Sequence, residues 1–175
     1  SADVAGLAEN LRCSVEEAAR IARYDFLFDT ARRHSAAAVA AAHHADDQVE
    51  TVLMHFLRGS GLDGLAGMRP RAFFPQWEPE GKIPLIRPIL NVWRAEIEAW
   101  CRRAGLTPIQ DASNFDTAFF RNRLRHDLIP ALEKEYSPKI RRHIQTLSQT
   151  VSDDLQILET VTDDAWRICF IPGGN

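Results

Sequence analysis

Three residues near the start of a predicted helix have side chains that could act together in catalysis or ion binding. They are His43, Asp47 and Glu50, in the string A-H-H-A-D-D-Q-V-E-T. At about 100° of rotation per residue, Asp47 and Glu50 both fall within about 40° of His43. Carboxylates can hold Mg²⁺ or orient an ammonium group, and a histidine can move a proton or polarise a phosphate. An acidic first turn is equally typical of a solvated helix start, so spacing alone leaves both interpretations open.

The same helix has an apolar face and a further polar residue, Gln48. Five apolar residues fall between about 180° and 280° from His43 by the same rotation count: Ala45, Val49, Val52, Leu53 and Phe56. We expect that face to be buried. Gln48 points about 140° from His43, and we expect its replacement to have little effect. The segment does not match H-E-x-x-H, so the pattern does not favour a zinc protease.

A short strand should position the start of this helix. Residues 36–42 form a wholly apolar run between polar helical segments, which is typical of a buried parallel strand, although alanine also favours helix. The preceding helix is predicted over 14–34, because Ser14 stands three residues before Glu17 in a capping-box arrangement. The following helix is predicted over about 45–58. The result is a helix-rich α/β fold with the polar residues beyond the carboxyl end of a strand, where ligands bind in open sheets.

The positions of glycine and proline and the spacing of apolar residues predict the rest of the chain. Residues 3–8 are expected to be the end of a short strand or an irregular lead-in. Beyond the second helix we predict a loop over 62–82 with a turn of helix around Leu65, and then an extended piece over 83–89. A helix over 91–104 and a polar turn over 111–116 should follow. A basic helix is predicted from Thr117, with breaks at Pro130 and Pro138. From Lys139 to Val161 apolar residues recur at threes and fours. This predicts one long amphipathic helix whose stripe is core, a helix pair or a dimer seam.

Composition narrows the class of protein. The chain has 175 residues, of which 45% are hydrophobic and 26% charged, and it is long enough to bury a core. No apolar run approaches the roughly 20 residues that a membrane-spanning helix needs. The cysteines Cys13, Cys101 and Cys169 form no C-x-x-C pair, which argues against a disulfide framework, a zinc site or an iron–sulfur cluster. We therefore expect no membrane association and a reducing, cytoplasmic location.

The charge is distributed unevenly along the chain. Residues 1–66 carry 6 basic and 10 acidic side chains, residues 67–142 carry 14 and 9, and residues 143–175 carry 1 and 5. Arginine dominates the basic middle segment, and its planar fork suits phosphate contacts. An RNA-facing surface is therefore one interpretation of the middle segment. On charge alone, a solvated surface of mixed charge is favoured.

Several ordered sequence blocks carry a resemblance to a known family. The string A-H-H-A-D-D-Q-V-E-T is followed by L-R-G-S-G-L-D-G-L-A-G-M. Further blocks are Ala19–Tyr24 upstream, then Ile86–Leu90 with Arg94–Ile97, and Asp111–Asp116 leading into Arg121–His126. Together they span about Leu7 to Leu132, and in order and spacing the chain resembles the tRNA(Ile)-lysidine synthases.

The resemblance implies a fold and an activity. These proteins are N-type ATP pyrophosphatases with a parallel-sheet nucleotide-binding domain of the adenine nucleotide alpha hydrolase-like type. They use ATP and Mg²⁺ to adenylate the C2 oxygen of the wobble cytidine in tRNA(Ile) with a CAU anticodon. Free L-lysine then displaces AMP to give lysidine, so the reaction is a ligation that forms a C–N bond. We accordingly predict the C-terminal part of such a domain over 1–86 and a small helical domain over 87–175.

The resemblance also implies roles for individual residues. Asp47 would help hold Mg²⁺ and ATP, and His43 would act near the activated base. Glu50 and Arg23 would line the lysine and nucleotide pocket. A further set is expected to bind tRNA: Arg87, Arg94, Asn114, Arg121, Asn122 and Arg125.

The arginines of the basic helix allow a second interpretation. Arg121 and Arg125 lie one helical turn apart and could grip the tRNA backbone. They could instead pair with acidic neighbours, namely Asp111, Asp116 or Asp127. Charge and spacing alone favour the ion pairs, whereas the resemblance favours RNA.

One family element is expected outside the sequence shown. The S-G-G-x-D-S loop, whose backbone amides cradle pyrophosphate, should lie N-terminal to Ser1. We therefore expect this chain to hold half of an active site and not to adenylate tRNA by itself. Two alternatives stay open: another tRNA-modifying ATP pyrophosphatase such as a thiolase, or a non-catalytic RNA-binding or dimerisation fragment. A homodimer is one possible assembly.

Overall fold

The fold is helix-rich α/β with one small sheet, as the sequence predicts. A computed structural model describes residues 3–109 and 119–169. Its α-helices are α1 (Val4–Leu11), α2 (Val15–Arg33), α3 (Ala45–Leu57), α4 (Leu62–Ala66), α5 (Arg94–Arg103), α6 (Phe120–Arg123), α7 (Ile129–Glu135) and α8 (Ile140–Cys169), and its strands are β1 (Val39–Ala40), β2 (Arg71–Ala72) and β3 (Leu85–Ile86). A π-helical turn, Leu124–Leu128, joins α6 to α7.

The chain separates into two compact units. The first consists of Ser1–Ala42 with Pro70–Pro88, and the second of His43–Arg69 with Ile89–Asn175. Residues 43–69 therefore group with the C-terminal helices. The domain division expected between residues 86 and 87 stays a prediction.

The first unit is built on α1, α2 and the three-stranded sheet. Strand β1 pairs with β3 in parallel, with Val39 opposite Leu85, and β2 pairs with β3 in antiparallel orientation. The predicted parallel pairing thus holds for β1 and β3, while β2 makes the sheet mixed. The sheet packs on α2 through buried residues that include Phe28, and the Trp77 ring stacks on Tyr24 with ring centroids 4.7 Å apart. Trp77 is therefore a packing residue of this unit.

The helix starts in this unit follow from their capping residues. Ser14 Oγ accepts a hydrogen bond from the Glu17 amide at 3.2 Å, which confirms the predicted start of α2. The lead-in over 3–8 was predicted wrongly, because it belongs to helix α1. Asp3 caps α1 by accepting from the Gly6 amide at 3.0 Å, and this local hydrogen bond outweighs the short apolar pattern.

The second unit packs α3 against α7 and α8. Val49 and Val52 of α3, Ile129 of α7 and Ile144 of α8 form its buried cluster. The predicted apolar face of α3 is confirmed for Val49 and Val52, but Phe56 near the end of the helix is 63% exposed. Helix α3 turns this last apolar position to solvent because the cluster covers only its first three turns.

The basic helix does not break at Pro130 as expected. Proline lacks an N–H and cannot make the ordinary helical bond one turn back. The preceding π-helical turn absorbs the mismatch, with the Ile129 amide donating to the Leu124 carbonyl five residues earlier. The chain therefore continues as helix across Pro130 into α7.

The long amphipathic helix predicted from residue 139 is present as α8. Its buried positions, Ile144, Ser148 and Val151, all lie in its first half. Apolar residues of the second half, such as Ile157 and Trp166, are exposed. Within the ranges 3–109 and 119–169, no helix is both long and apolar enough to cross a membrane.

Candidate functional site

The two carboxylates predicted to act together are held by two arginines of the basic helix. Arg121 Nε donates to Glu50 Oε2 at 2.7 Å, and its Nη2 donates to Asp47 Oδ1 at 3.0 Å. Arg125 Nε donates to Glu50 Oε1 at 2.6 Å, and its Nη2 reaches Glu50 Oε2 at 2.9 Å and Asp47 Oδ1 at 3.4 Å. Asp47 and Glu50 therefore face the same side of α3, as the rotation count predicts.

This cluster is largely removed from solvent. The Glu50 side chain is fully buried, whereas the Arg121 side chain is 29% and the Arg125 side chain 20% exposed. Burial by itself lowers the pKa of Arg125, but the hydrogen bond to Glu50 and the charges of Glu50 and Asp47 more than offset it. The net pKa of Arg125 is raised, so its charge is firmly retained. The acidic first turn is thus not a merely solvated helix start.

The start of α3 is tied to three other helices through Asp46. Its Oδ2 accepts from the backbone amide of Arg94 at 2.9 Å, at the start of α5. Its Oδ1 accepts from Arg141 Nη1 of α8 at 3.0 Å, and Arg141 also binds Glu133 of α7 at 2.8 Å between Nε and Oε1. Asp46 therefore fixes the backbone that carries Asp47.

His44 lies between the two aspartates. Its backbone amide donates to Asp47 Oδ2 at 3.0 Å. Its ring nitrogens lie 3.7 Å from Asp46 Oδ2 and 3.5 Å from Asp47 Oδ2, beyond good hydrogen-bond distance. His44 Nδ1 is buried without a hydrogen-bond partner among the described residues.

Gln48 anchors the middle of α3. Its side chain is buried, and the two N–H hydrogens of Nε2 are shared among three acceptors: the carbonyls of Ala66 and Met68 at 3.1 and 3.2 Å, and Ser148 Oγ at 2.9 Å. Its Oε1 accepts from the Met68 amide at 2.8 Å. The rotation count placed Gln48 away from His43, but it could not reveal that α4 and α8 cover that position, so replacement of Gln48 is expected to affect stability. The smaller effect on activity that was predicted for it, relative to Asp47 and Glu50, stays a prediction.

A cavity of about 810 Å³ adjoins the carboxylates. Its lining includes both acidic and basic groups: His44, Asp46, Glu50, Arg94, Arg125 and Arg141. The volume is of the size that proteins use for small ligands. Polar groups of both signs make it suited to a ligand that carries both charges.

The arrangement around Asp47 does not fit a divalent cation. Asp47 Oδ2 accepts from an amide, and Oδ1 accepts from two guanidinium groups. Mg²⁺ needs oxygen ligands with free lone pairs, and two neighbouring positive charges repel it. Nor does the described part of the chain contain a group of three His, Cys, Asp or Glu residues that could hold a metal ion.

The other predicted site residues lie in different surroundings. His43 is half-buried directly before the cap of α3, in the second unit, while Arg23 is exposed on α2 in the first unit. Arg87 is 4% exposed with its guanidinium over the Phe74 ring, and burial lowers its pKa. The Arg87 side chain therefore has little accessible surface that a phosphate could contact. The roles predicted for these residues stay predictions.

The remaining tRNA-binding candidates divide in the same way. Arg94 is exposed, and its Nε pairs with Glu98 Oε1 at 2.8 Å. Asn122 is buried in α6, while Asn114 lies outside the described residues. Arg121 and Arg125 do pair with acids, namely Asp47 and Glu50 of α3. Asp111 and Asp116, two of the neighbours that spacing suggested, lie outside the described residues.

Several residues of the site were not predicted from sequence. Asp46 and His44 stand inside the motif and could have been included on position alone. Arg141 and Ser148 lie in the amphipathic helix with no local signal, and they reach α3 across 95 and 100 residues. Only packing brings these residues to the site.

Comparisons with known proteins agree with the site's sequence motif. A family model described as the PP-loop domain matches residues 2–132. A tRNA(Ile)-lysidine synthase of Geobacillus kaustophilus is 42% identical over 163 residues, which cover 93% of this chain and 34% of the relative. The Bacillus subtilis tRNA(Ile)-lysidine synthase is 36% identical over 162 residues, covering 93% of this chain and 33% of that protein.

A longer relative matches in the same way. The bifunctional protein TilS/HprT of Listeria monocytogenes is 37% identical over 173 residues, which cover 99% of this chain and 26% of that protein. The chain thus spans about a third or less of the length of the curated relatives it matches. The resemblance drawn from the motifs is confirmed.

Proposed function

The chain belongs to the family of PP-loop domains, and from that premise we propose that it is part of an ATP-dependent tRNA(Ile)-lysidine synthase. The reaction would activate the wobble cytidine of tRNA(Ile) with ATP and then join lysine to it, releasing AMP and pyrophosphate. Support comes from relatives of that name that are 36–42% identical over most of this chain. None of these relatives is named as a thiolase. Mg²⁺, a cytoplasmic location and a homodimer stay predictions.

One observation carries the proposal: the paired carboxylates and guanidinium groups around Glu50. Free lysine has two ammonium groups and one carboxylate at neutral pH. The cluster offers two carboxylates, from Asp47 and Glu50, and two guanidinium groups, from Arg121 and Arg125. Carboxylates accept charge-assisted hydrogen bonds from ammonium, and a guanidinium binds a carboxylate bidentately. The adjoining cavity lined by Glu50 and Arg125 leaves room for an amino acid.

Binding of lysine in this cluster requires an exchange of partners. The oxygens of Glu50 accept three guanidinium hydrogen bonds, so an ammonium group must replace at least one of them. A displaced arginine keeps its charge and can take the carboxylate of lysine or a phosphate of the RNA. The exchange favours lysine over an uncharged amine, because a buried carboxylate left without a cation is costly.

The nucleophile of the second step is the neutral amine of lysine. Asp47 and Glu50 would orient that amine through hydrogen bonds, and His43 would be available to accept its proton. Asp46 would support the geometry by holding the first turn of α3 through Arg94 and Arg141. None of these steps passes through a metal ion.

A direct test measures lysine incorporation into RNA. The chain would replace the matched segment of the Geobacillus kaustophilus relative, and the chimera would be incubated with ATP, labelled lysine and a tRNA(Ile) transcript with a CAU anticodon. We expect label in the RNA, and loss of the label when Glu50 is replaced by Gln. A chimera with a normal circular dichroism spectrum that incorporates no lysine would overturn the proposal.

A further inference from the structure

An aromatic ring between two arginines lies on the surface where α3 ends and α6 begins. The Arg58 guanidinium lies 5.9 Å from the centroid of the Phe120 ring, and the Arg123 guanidinium lies 5.5 Å from it. Arg58 and Arg123 are both exposed, and the neighbouring Phe119 is 41% exposed. We call these four residues the Phe120 surface. It is an aromatic and positively charged patch.

The two sides of α6 serve different purposes. Arg121 and Arg125 point towards α3, where Asp47 and Glu50 neutralise them. Arg123 is two positions from each of them, about 200° around the helix, and so lies on the opposite side. The arginines that the buried acids occupy are therefore poor candidates for an outside phosphate. The side chains of Arg58 and Arg123 are exposed, so a ligand in solution can contact them.

We propose that the Phe120 surface binds an unpaired nucleotide of RNA. Unstacked bases bind to aromatic rings and to the flat face of a guanidinium, and arginines bind the adjacent phosphates. Phe119 and Phe120 supply the rings, and Arg58 and Arg123 supply both planar stacking and charge. Double-stranded RNA hides its base faces within the stack, so the partner is a loop or other single strand. The inference rests on the proposed function in taking RNA as the partner.

The position of the surface agrees with the proposed chemistry. Helix α6 contains Phe120 and Arg123 of the Phe120 surface together with Arg121, which holds Glu50, and Arg125 follows in the π-helical turn. A base held by this helix would therefore lie near a site that acts on a base. The substrate class is single-stranded RNA flanking the modified nucleotide, and a loop offers both unpaired bases and phosphates.

The competing explanation is that Phe120 and Arg58 only form a structural contact between α3 and α6. Conservative variants distinguish this contact from a nucleotide-binding surface. Phe120→Leu keeps an apolar side chain that can pack but removes the aromatic face. Arg58→Lys keeps the charge but removes the planar fork. A structural contact predicts changes in unfolding for these variants, whereas a nucleotide surface predicts changes in RNA binding.

The test measures fluorescence anisotropy of two labelled RNAs with the 175-residue chain at several salt concentrations. One probe is an unstructured ten-nucleotide RNA and the other a duplex of the same length. We expect Phe120→Leu to weaken binding of the single strand about tenfold and to leave duplex binding unchanged. Arg58→Ala should lower the slope of log affinity against log salt by about one, and Arg58→Lys should restore most of that slope. Phe26→Leu and Arg103→Ala, both exposed positions elsewhere, are the matched controls.

The outcomes distinguish the surface from the proposed function. If the wild type binds the single strand and the Phe120 and Arg58 variants bind it equally well, the role proposed for the Phe120 surface is wrong, while RNA remains the partner. If the wild type binds neither probe, the surface is overturned together with the RNA partner of the proposed function. Loss of binding by the control variants to the same extent would also overturn the surface. Thermal unfolding of every variant shows whether the compared proteins are equally folded.

Discussion

Glu50 of α3 and Arg125 of the π-helical turn form a bidentate ion pair across 75 residues of sequence. Nε and Nη2 of the arginine donate to the two carboxylate oxygens at 2.6 and 2.9 Å. Parallel double hydrogen bonds of this kind are among the strongest polar contacts in proteins. Because Glu50 is fully buried, the pair contributes both to the stability of the second unit and to the chemistry available at the cavity.

Removal of the Glu50 charge should destabilise the fold as well as the site. Glu50→Gln leaves Arg121 and Arg125 facing a neutral amide in a mostly buried position. We expect the free energy of unfolding to fall by about 2–4 kcal/mol, somewhat less than the roughly 3–5 of a fully buried pair because the arginines reach solvent in part. Urea unfolding measures this. Glu159→Gln is the control, since its exposed pair with Arg69 is screened by solvent and should contribute little to stability. Equal effects of the two variants would refute a special role for Glu50.

Asp47→Asn tests whether this carboxylate binds lysine. The amide keeps the shape of the side chain and can still accept from the His44 amide, but its NH2 group then faces Arg121 and Arg125. We therefore expect a loss of stability, smaller than that of Glu50→Gln. Lysine affinity should fall about 10- to 100-fold, because a charge-assisted hydrogen bond to an ammonium group becomes a neutral one. Calorimetric titration with lysine measures the change. Asp63→Asn on the exposed side of α4 should leave lysine affinity unaltered, and a similar loss in both variants would contradict the assignment.

Gln48→Ala should destabilise the second unit although Gln48 is not charged. Its amide contacts Ala66 at the end of α4, Met68 just after it and Ser148 of α8, and truncation leaves those partners without it. We expect a loss of about 1–3 kcal/mol in the free energy of unfolding. Gln149→Ala, an exposed glutamine of α8, should cost much less. If thermal melts of the two variants agree within error, Gln48 is not an anchor.

Gly67→Ala should disturb the same anchor from the other side. Gly67 has φ +68°, and an added Cβ would lie 2.6 Å from Gln48 Nε2. With ψ −139° the backbone is in a region that only glycine adopts readily, so the backbone strain alone costs about 1–3 kcal/mol, and displacement of Gln48 adds to it. Gly59 has φ +74° with nothing within 4 Å of an added Cβ, so Gly59→Ala isolates the backbone cost. In urea unfolding, Gly67→Ala should lower the free energy of unfolding more than Gly59→Ala does. Equal losses in the two variants would show that Gln48 adjusts freely.

Local sequence signals predicted the elements that depend on local forces. The cap at Ser14, the start of α3 and the length of α8 agree with the structure, because capping and helical periodicity act over a few residues. The same rotation count placed Asp47 and Glu50 on one side of α3, where they share Arg121 and Arg125. The short helix α1 was missed because a single capping hydrogen bond decided it.

The partners of these residues could not be predicted in that way. Arg121 and Arg125 were expected to face RNA or acids close by in sequence, and their actual partners lie more than 70 residues away. Gln48 was expected to matter less for activity than Asp47 and Glu50, and its burial could not be predicted, because the rotation of one helix does not show which other helix will cover it. The sequence by itself determined which residues are charged, which helices form and which side chains share a face, since those follow from local propensity and spacing. Only the tertiary structure decided that Glu50 is buried and that Arg121, Arg125, Arg141 and Ser148 reach α3, because such contacts arise from the packing of segments far apart in the chain.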